Sequence, residues 1–240
     1  MKLYRKFLLS IVLLGFSGFS HAALIGVWGG NFSSFQTLIN GTGNSAVALN
    51  SSSTAADLAA VDQVWLIRTS GNATLLNYVS NGGVLITEWS AAEWAVDTVS
   101  MLNADVASIS YQGNAVPVTF TQAGLDLGFG NATGNPYSNG GATSFFQSFT
   151  NIGNGVDIIA TIAGGFNVGV SGAFGAGRVT ALGWDWQDLT DSGASSVING
   201  LFFTDIINSS VRQAADVSEP ASVALLALAL VGFSMRRKRK

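Results

Sequence analysis

Two short runs, Val64-Trp65-Leu66-Ile67 and Val84-Leu85-Ile86-Thr87, are apolar almost without interruption. A strand that alternates apolar and polar residues buries one face, whereas a strand apolar throughout has protein on both. Between the two runs Leu75, Leu76 and Val79 recur at helical spacing, and Asn81-Gly82-Gly83 accepts the left-handed backbone that ends a helix. Strand, helix and strand in that order predict a parallel sheet with helices on its faces. The order repeats upstream. Leu24-Ile25-Gly26-Val27-Trp28 is a strand closed by Gly29-Gly30, and Phe32, Phe35, Leu38 and Ile39 form a helical stripe. Ala46 to Leu49 is a second strand, with a Ser/Thr loop at Ser51 to Thr54. After the Val84 run, Ala91 to Leu102 is expected to be helical, with Trp94, Val99 and Leu102 facing inward.

The middle of the chain has a different pattern. Val106 to Tyr111 and Val116 to Thr121 are expected to pair as a hairpin or meander, and Gly124 to Ser148, rich in Gly, Asn, Ser and Phe, as a long loop. Val156 to Ala163 and Phe166 to Val170, joined by Gly164-Gly165, make a second hairpin. Arg178 to Gly183 is a further strand. Val197, Ile198, Leu201, Phe202 and Ile206 mark a closing amphipathic helix, with Asp191 or Ser192 as its cap.

Both ends are of another kind. Met1 to Lys6 is basic, Phe7 to Phe19 is apolar, and Ser20-His21-Ala22 places small residues before a cut after Ala22. This is the three-part pattern of a secretory signal peptide, and the apolar run is short for a lasting anchor of about 20 residues. At the other end Ser218-Glu219-Pro220 leads into the apolar segment Ala221 to Ser234 and the cluster Arg236, Arg237, Lys238, Arg239 and Lys240. Fourteen residues span roughly 21 Å as a helix, short of a bilayer core of about 30 Å, and flanking basic residues can extend that reach. By the positive-inside rule the basic end stays in the cytoplasm. The division expected is 1–22 signal peptide, 23–210 exported domain, 211–217 linker and 218–240 terminal segment.

These basic ends disguise the body. Between Ala23 and Val217 thirteen carboxylates stand against Arg68, Arg178 and Arg212, with no lysine, a net charge near −10. Such a surface repels phosphate backbones, so nucleic acid is not expected as a partner. The single histidine, His21, lies in the signal peptide, and cysteine is absent. Nucleophilic Ser-His-Asp or Cys-His sites, zinc sites of the usual ligands and disulfides are thereby excluded from the exported part.

Two resemblances add to this. VDQVWLIRTSGNATLLNYVSNGGVLITEW and GAGRVTALGWDWQD resemble the class I glutamine amidotransferase-like fold, in its trehalose-utilisation-protein-like branch. The resemblance implies an α/β, flavodoxin-like sandwich with a mostly parallel sheet, here carrying a β-hairpin-rich middle insertion and a short C-terminal transmembrane helix. Enzymes of that superfamily use a Cys-His pair. The exported part has neither, and Trp184 stands where the branch has a histidine in its Gly-His-Asp corner. The tail, Val217 to Lys240, resembles the PEP-CTERM sorting signal, with Ser218 in place of the usual first proline. That resemblance implies recognition and removal by an exosortase after passage through the Sec translocon, with the inner membrane held transiently. An ordinary C-terminal anchor is the alternative.

In open α/β sheets ligands gather at the carboxyl ends of the strands. The candidates there are Trp28, Arg68, Glu88, Trp89, Trp184 and Asp185. Aromatic faces and carboxylates suit a sugar, and Glu88 with Asp185 could serve as acid and base on a glycosidic bond. Alternatively the tryptophans close the core and Asp185 pairs with Arg68 or Arg178. Asp185, Asp188 and Asp191 lack EF-hand spacing, and Asp at a helix start is usually a cap, so no metal is expected; nor are a cofactor or catalytic residues. The expected protein is a non-catalytic binding or structural module at the cell surface or in an extracellular matrix, associated with exopolysaccharide. The alternative is a carbohydrate-binding or carbohydrate-active domain. Mass spectrometry of the released protein should find a C-terminus ahead of Ala221; an intact Lys240 would contradict the sorting reading.

Overall fold

The computed structural model describes residues 22–109, 118–129, 146–187, 204–207 and 209. The expected signal peptide up to His21, Asp188, Asp191, most of the expected closing helix and the whole tail from Ser218 lie outside the described residues. Residues 204–207, at the end of that closing helix, are helical.

Among the described residues ten strands form one mixed sheet in the order β2-β1-β3-β4-β10-β9-β7-β5, with β8 beside β9 and β6 beside β8. The parallel half is β1 (Leu24–Gly29), β2 (Ser45–Leu49), β3 (Gln63–Ile67), β4 (Val84–Glu88) and β10 (Gly177–Leu182). β5 (Asp105–Ile109), β6 (Val118–Phe120), β7 (Phe146–Thr150), β8 (Val156–Ile162) and β9 (Phe166–Phe174) pair antiparallel. The helices are α1 (Phe32–Gly41), α2 (Ala55–Ala59), α3 (Ala73–Ser80), α4 (Trp89–Glu93) and α5 (Gln122–Asp126). A π-helical turn, Trp94–Thr98, extends α4.

The uninterrupted apolar runs do what their pattern requires. Every residue of β3 and β4 is buried. Successive side chains go to opposite faces, as a pleated strand demands. Trp65, Ile67, Val84 and Ile86 enter one core with Phe35 and Ile39 of α1. Val64, Leu66 and Leu85 enter the other with Leu58 of α2, Leu75 and Val79 of α3, and Ala91 and Ala92 of α4. Caps set the helix starts: Asn72 accepts from the Leu75 N–H at 3.1 Å. Thr54 and Asp57 form a reciprocal capping box that opens α2.

Four expectations need correction. β5 and β6 do not pair with each other. β5 pairs with β7 and β6 with β8, because Val106 packs on the second core and Val118 belongs to the first. The middle strands, which lie in sequence between the paired strands β4 and β10, continue the main sheet. The stretch read as a loop from Gly124 is organised at both ends, by α5, capped by the Thr121 side chain, and by β7. The helix expected over Ala91 to Leu102 begins at Trp89 and ends at Thr98; Ser100 has φ +50°, and Leu102 is buried beyond the helix. Helix α2 has no counterpart among the expected elements, although Thr54-Ala55-Ala56-Asp57 spells its capping box.

β10 lies between β4 and β9 and joins the two halves, and Gly177 begins it. A Cβ there would run into the Val79 and Gly83 carbonyls, whereas one on Gly41 would meet nothing within 4 Å. Gly177→Ala should therefore cost about 1–3 kcal/mol in urea denaturation, since backbone cannot move aside. Gly41→Ala should be neutral or stabilise by roughly 0.4–1 kcal/mol. Equal effects of the two would contradict this packing.

Candidate functional site

The carboxyl ends of β1, β3 and β4 leave the sheet through strained or glycine-only backbone. Gly29 and Gly30 have φ +84° and +62°, Arg68 has +48° and Trp89 has +29°. Non-glycine residues pay roughly 1–3 kcal/mol in such conformations, which persist only where the surroundings hold them. A Cβ on Gly30 would come within 2.5 Å of Gln187 Oε1 and Ile67 Cγ2, so only glycine lets β1 turn here.

Three of the expected residues meet at this edge. The Arg68 guanidinium pairs with Asp185 through Nη2 and lies 3.5 Å from Glu88 Oε1 through Nε. Glu88 is fully buried and Asp185 is 3% exposed, while the Arg68 side chain keeps 30% exposure. The Gln187 N–H donates to Glu88 Oε1 at 3.3 Å. β4 delivers Glu88 as its last residue, β3 delivers Arg68 just past its end, and the segment after β10 delivers Asp185 and Gln187.

Burial pushes the Glu88 carboxyl up to about 9, and its hydrogen bond to Asp185 and that group's negative charge push the same way; the Gln187 N–H and Arg68 pull weakly against them. Glu88 is therefore protonated at neutral pH. The cluster is a neutral carboxylic acid beside an Arg-Asp pair.

The tryptophans do not form a platform over it. Trp28 is 2% exposed and belongs to the second core, whereas Trp184 is fully buried in the first. Trp184 packs edge-on to Phe120 with centroids 6.2 Å apart. Trp89 is partly buried. Trp28 is thus on the far face from Trp184, and neither ring is displayed to a ligand. Sequence reasoning missed Gln187, which carries no motif, and the inward role of Trp186. That ring sits edge-on to Trp65 at 5.5 Å and to Phe35 at 5.6 Å, and its N–H donates to the Thr87 carbonyl at 3.4 Å. The period-two spacing of Trp184 and Trp186 was the signal that both point the same way.

Trp89 occupies a sharp strand-to-helix turn at positive φ, the kind of elbow that presents a nucleophile in α/β-hydrolases. Here it presents an indole. Among the described residues no group of three or more His, Cys, Asp or Glu could hold a metal ion.

Residues 216–239 match the PEP-CTERM protein-sorting motif. The tail is a PEP-CTERM sorting signal. It makes the protein an exported substrate of exosortase processing, anchored in the membrane before that step. The predicted membrane helix, Ala221 to Ser234, lies outside the described residues; among those residues no helix is long and apolar enough to cross a membrane. No curated protein matches the chain by sequence. Solved structures do match in shape. A protein assigned as a GMP synthase subunit, from Thermoplasma acidophilum, superposes with TM-score 0.52 at 12% identity, over 81% of this chain and 95% of its own. PurLQS from Thermotoga maritima gives TM-score 0.53 at 11% identity, over 78% and 99%. A β-galactosidase from Bacillus circulans sp. alkalophilus gives 0.52 at 11% identity, over 80% of this chain but 31% of the larger enzyme. At these identities the likeness concerns the fold, and the glutamine amidotransferase-like neighbours agree with the fold expected from the sequence.

Because Glu88 is protonated in the fold and ionised in the unfolded chain, the fold loses relative stability as pH rises from about 4.5 to about 9. Glu88→Gln keeps a neutral side chain at every pH and should flatten that part of the profile, read as melting temperature against pH. An equally steep profile in the variant would show that Glu88 is not the group responsible.

Proposed function

We propose that the exported domain is a non-catalytic binding or structural module, displayed at the cell surface or released outside the cell and associated there with exopolysaccharide. The observation that carries this reading is the burial of the carboxyls at the carboxyl edge. Where an open α/β sheet usually binds a ligand, Glu88 and Asp185 are buried and engaged by Arg68 and the Gln187 N–H. The elbow bears Trp89, and the residues from Ala23 onward supply no cysteine or histidine. The sorting signal and the acidic, lysine-free body fit a destination outside the cytoplasm.

One observation favours the second reading, a carbohydrate-active domain. A protonated Glu88 hydrogen-bonded to Asp185 has the protonation state a general acid needs. Weighing against it, Glu88 has no exposed surface and the Trp28 and Trp184 rings are buried. The mature protein should therefore be retained by polysaccharide from the matrix of the producing cells and release no reducing sugar from it. Hydrolysis that disappears in Glu88→Gln would overturn the non-catalytic reading, and absence of retention would remove the polysaccharide association.

A further inference from the structure

The expected cleavage point coincides with the place where the chain enters the sheet. Ala22 is exposed, whereas Ala23 is 5% exposed and its side chain belongs to the first core. The Ala23 N–H donates to Asn44 Oδ1 at 2.8 Å, and its carbonyl accepts from the Ser45 N–H at 2.9 Å. One residue on, the Leu24 N–H donates to Asp62 Oδ2 at 2.7 Å, and its carbonyl accepts from the Asp62 N–H at 2.9 Å. The first residue of the mature domain is thus held between the segments that open β2 and β3.

We propose that cleavage between Ala22 and Ala23 creates a structural cation: the new α-ammonium of Ala23 stays seated on Asn44 Oδ1, with the Asp62 carboxylate as its countercharge. This goes beyond the signal-peptide reading and rests on it. A signal peptidase supplies the step. Water adds to the Ala22 carbonyl carbon, the C–N bond to Ala23 breaks, and the products are the Ala22 carboxylate and the Ala23 ammonium. The amide offered Asn44 one donor; the ammonium offers three, and a charged donor makes a shorter and stronger bond. Successive N–H groups of an extended chain point to opposite sides, so Asp62, held by the Leu24 N–H, lies across the strand from Asn44 and acts on the ammonium through space, not by contact. A body with three arginines and thirteen carboxylates also gains from any added cation.

The composition provides the test. No lysine lies between Ala23 and Val217, so the Ala23 α-amine is the only aliphatic amine in that stretch. The exported, processed protein is treated with an acetylating N-hydroxysuccinimide ester, natively and in urea, and the N-terminal peptide is followed by mass spectrometry. The N-terminus should be Ala23, and native acylation should be slower than in urea by on the order of tenfold, as for other protected groups. Asn44→Ala should speed native acylation and lower the melting temperature by about 2–4 °C. In a protein carrying one extra alanine ahead of Ala23, the same substitution should have no such effect on acylation. An N-terminus at another residue would overturn the cleavage reading. Ala23 at the N-terminus, acylated as fast in the native protein as in urea, would overturn the seated cation and leave the cleavage reading standing.

Discussion

One guanidinium ties together the exits of three central strands. Arg68 stands just past β3 and reaches both Glu88, at the end of β4, and Asp185, after β10. Two carboxyl groups could not both be buried as anions beside one cation without a large desolvation cost. Protonation of Glu88 resolves this, and the remaining Asp185 pairs with Arg68. The same contacts account for the backbone. Arg68 and Trp89 adopt conformations that would relax in isolation, and the cluster and the buried strands fix them in place.

That arrangement is held without disulfides. Residues of β3 and β4 feed two cores at once, each roofed by helices, so apolar burial on both faces carries the stability that cross-links supply in many small exported domains. Exported proteins of this size do not need cystines if the sheet is covered on both sides.

Sequence legibility followed the strength of the local pattern. β3, β4, α1, α3 and the β8–β9 hairpin announced themselves because apolar period, caps and glycines agreed at each. β5 and β6 are recognisable as strands, but their partners are not, since pairing is decided by which core each side chain has to fill, a long-range matter absent from either segment. The meeting of Arg68, Glu88 and Asp185 was foreseeable from the rule that places strand ends together. The burial of Trp28 and Trp184 was one of two readings the sequence left open, because a tryptophan at a strand end reads the same whether it closes a core or faces solvent. The tail was legible for the opposite reason: its order of proline, apolar run and basic cluster is read by a processing enzyme as linear sequence and needs no tertiary context.

β10 comes last among the described strands and sits in the interior of the sheet, hydrogen-bonded to β4 on one side and β9 on the other. This sheet cannot be finished from the strands that precede β10 in the chain. β4 and β9 keep open edges until Gly177–Leu182 is inserted between them. Exposed strand edges invite pairing with neighbouring molecules. A domain cut short ahead of Gly177 would therefore keep two interior strands with open edges, however well its first four strands had paired.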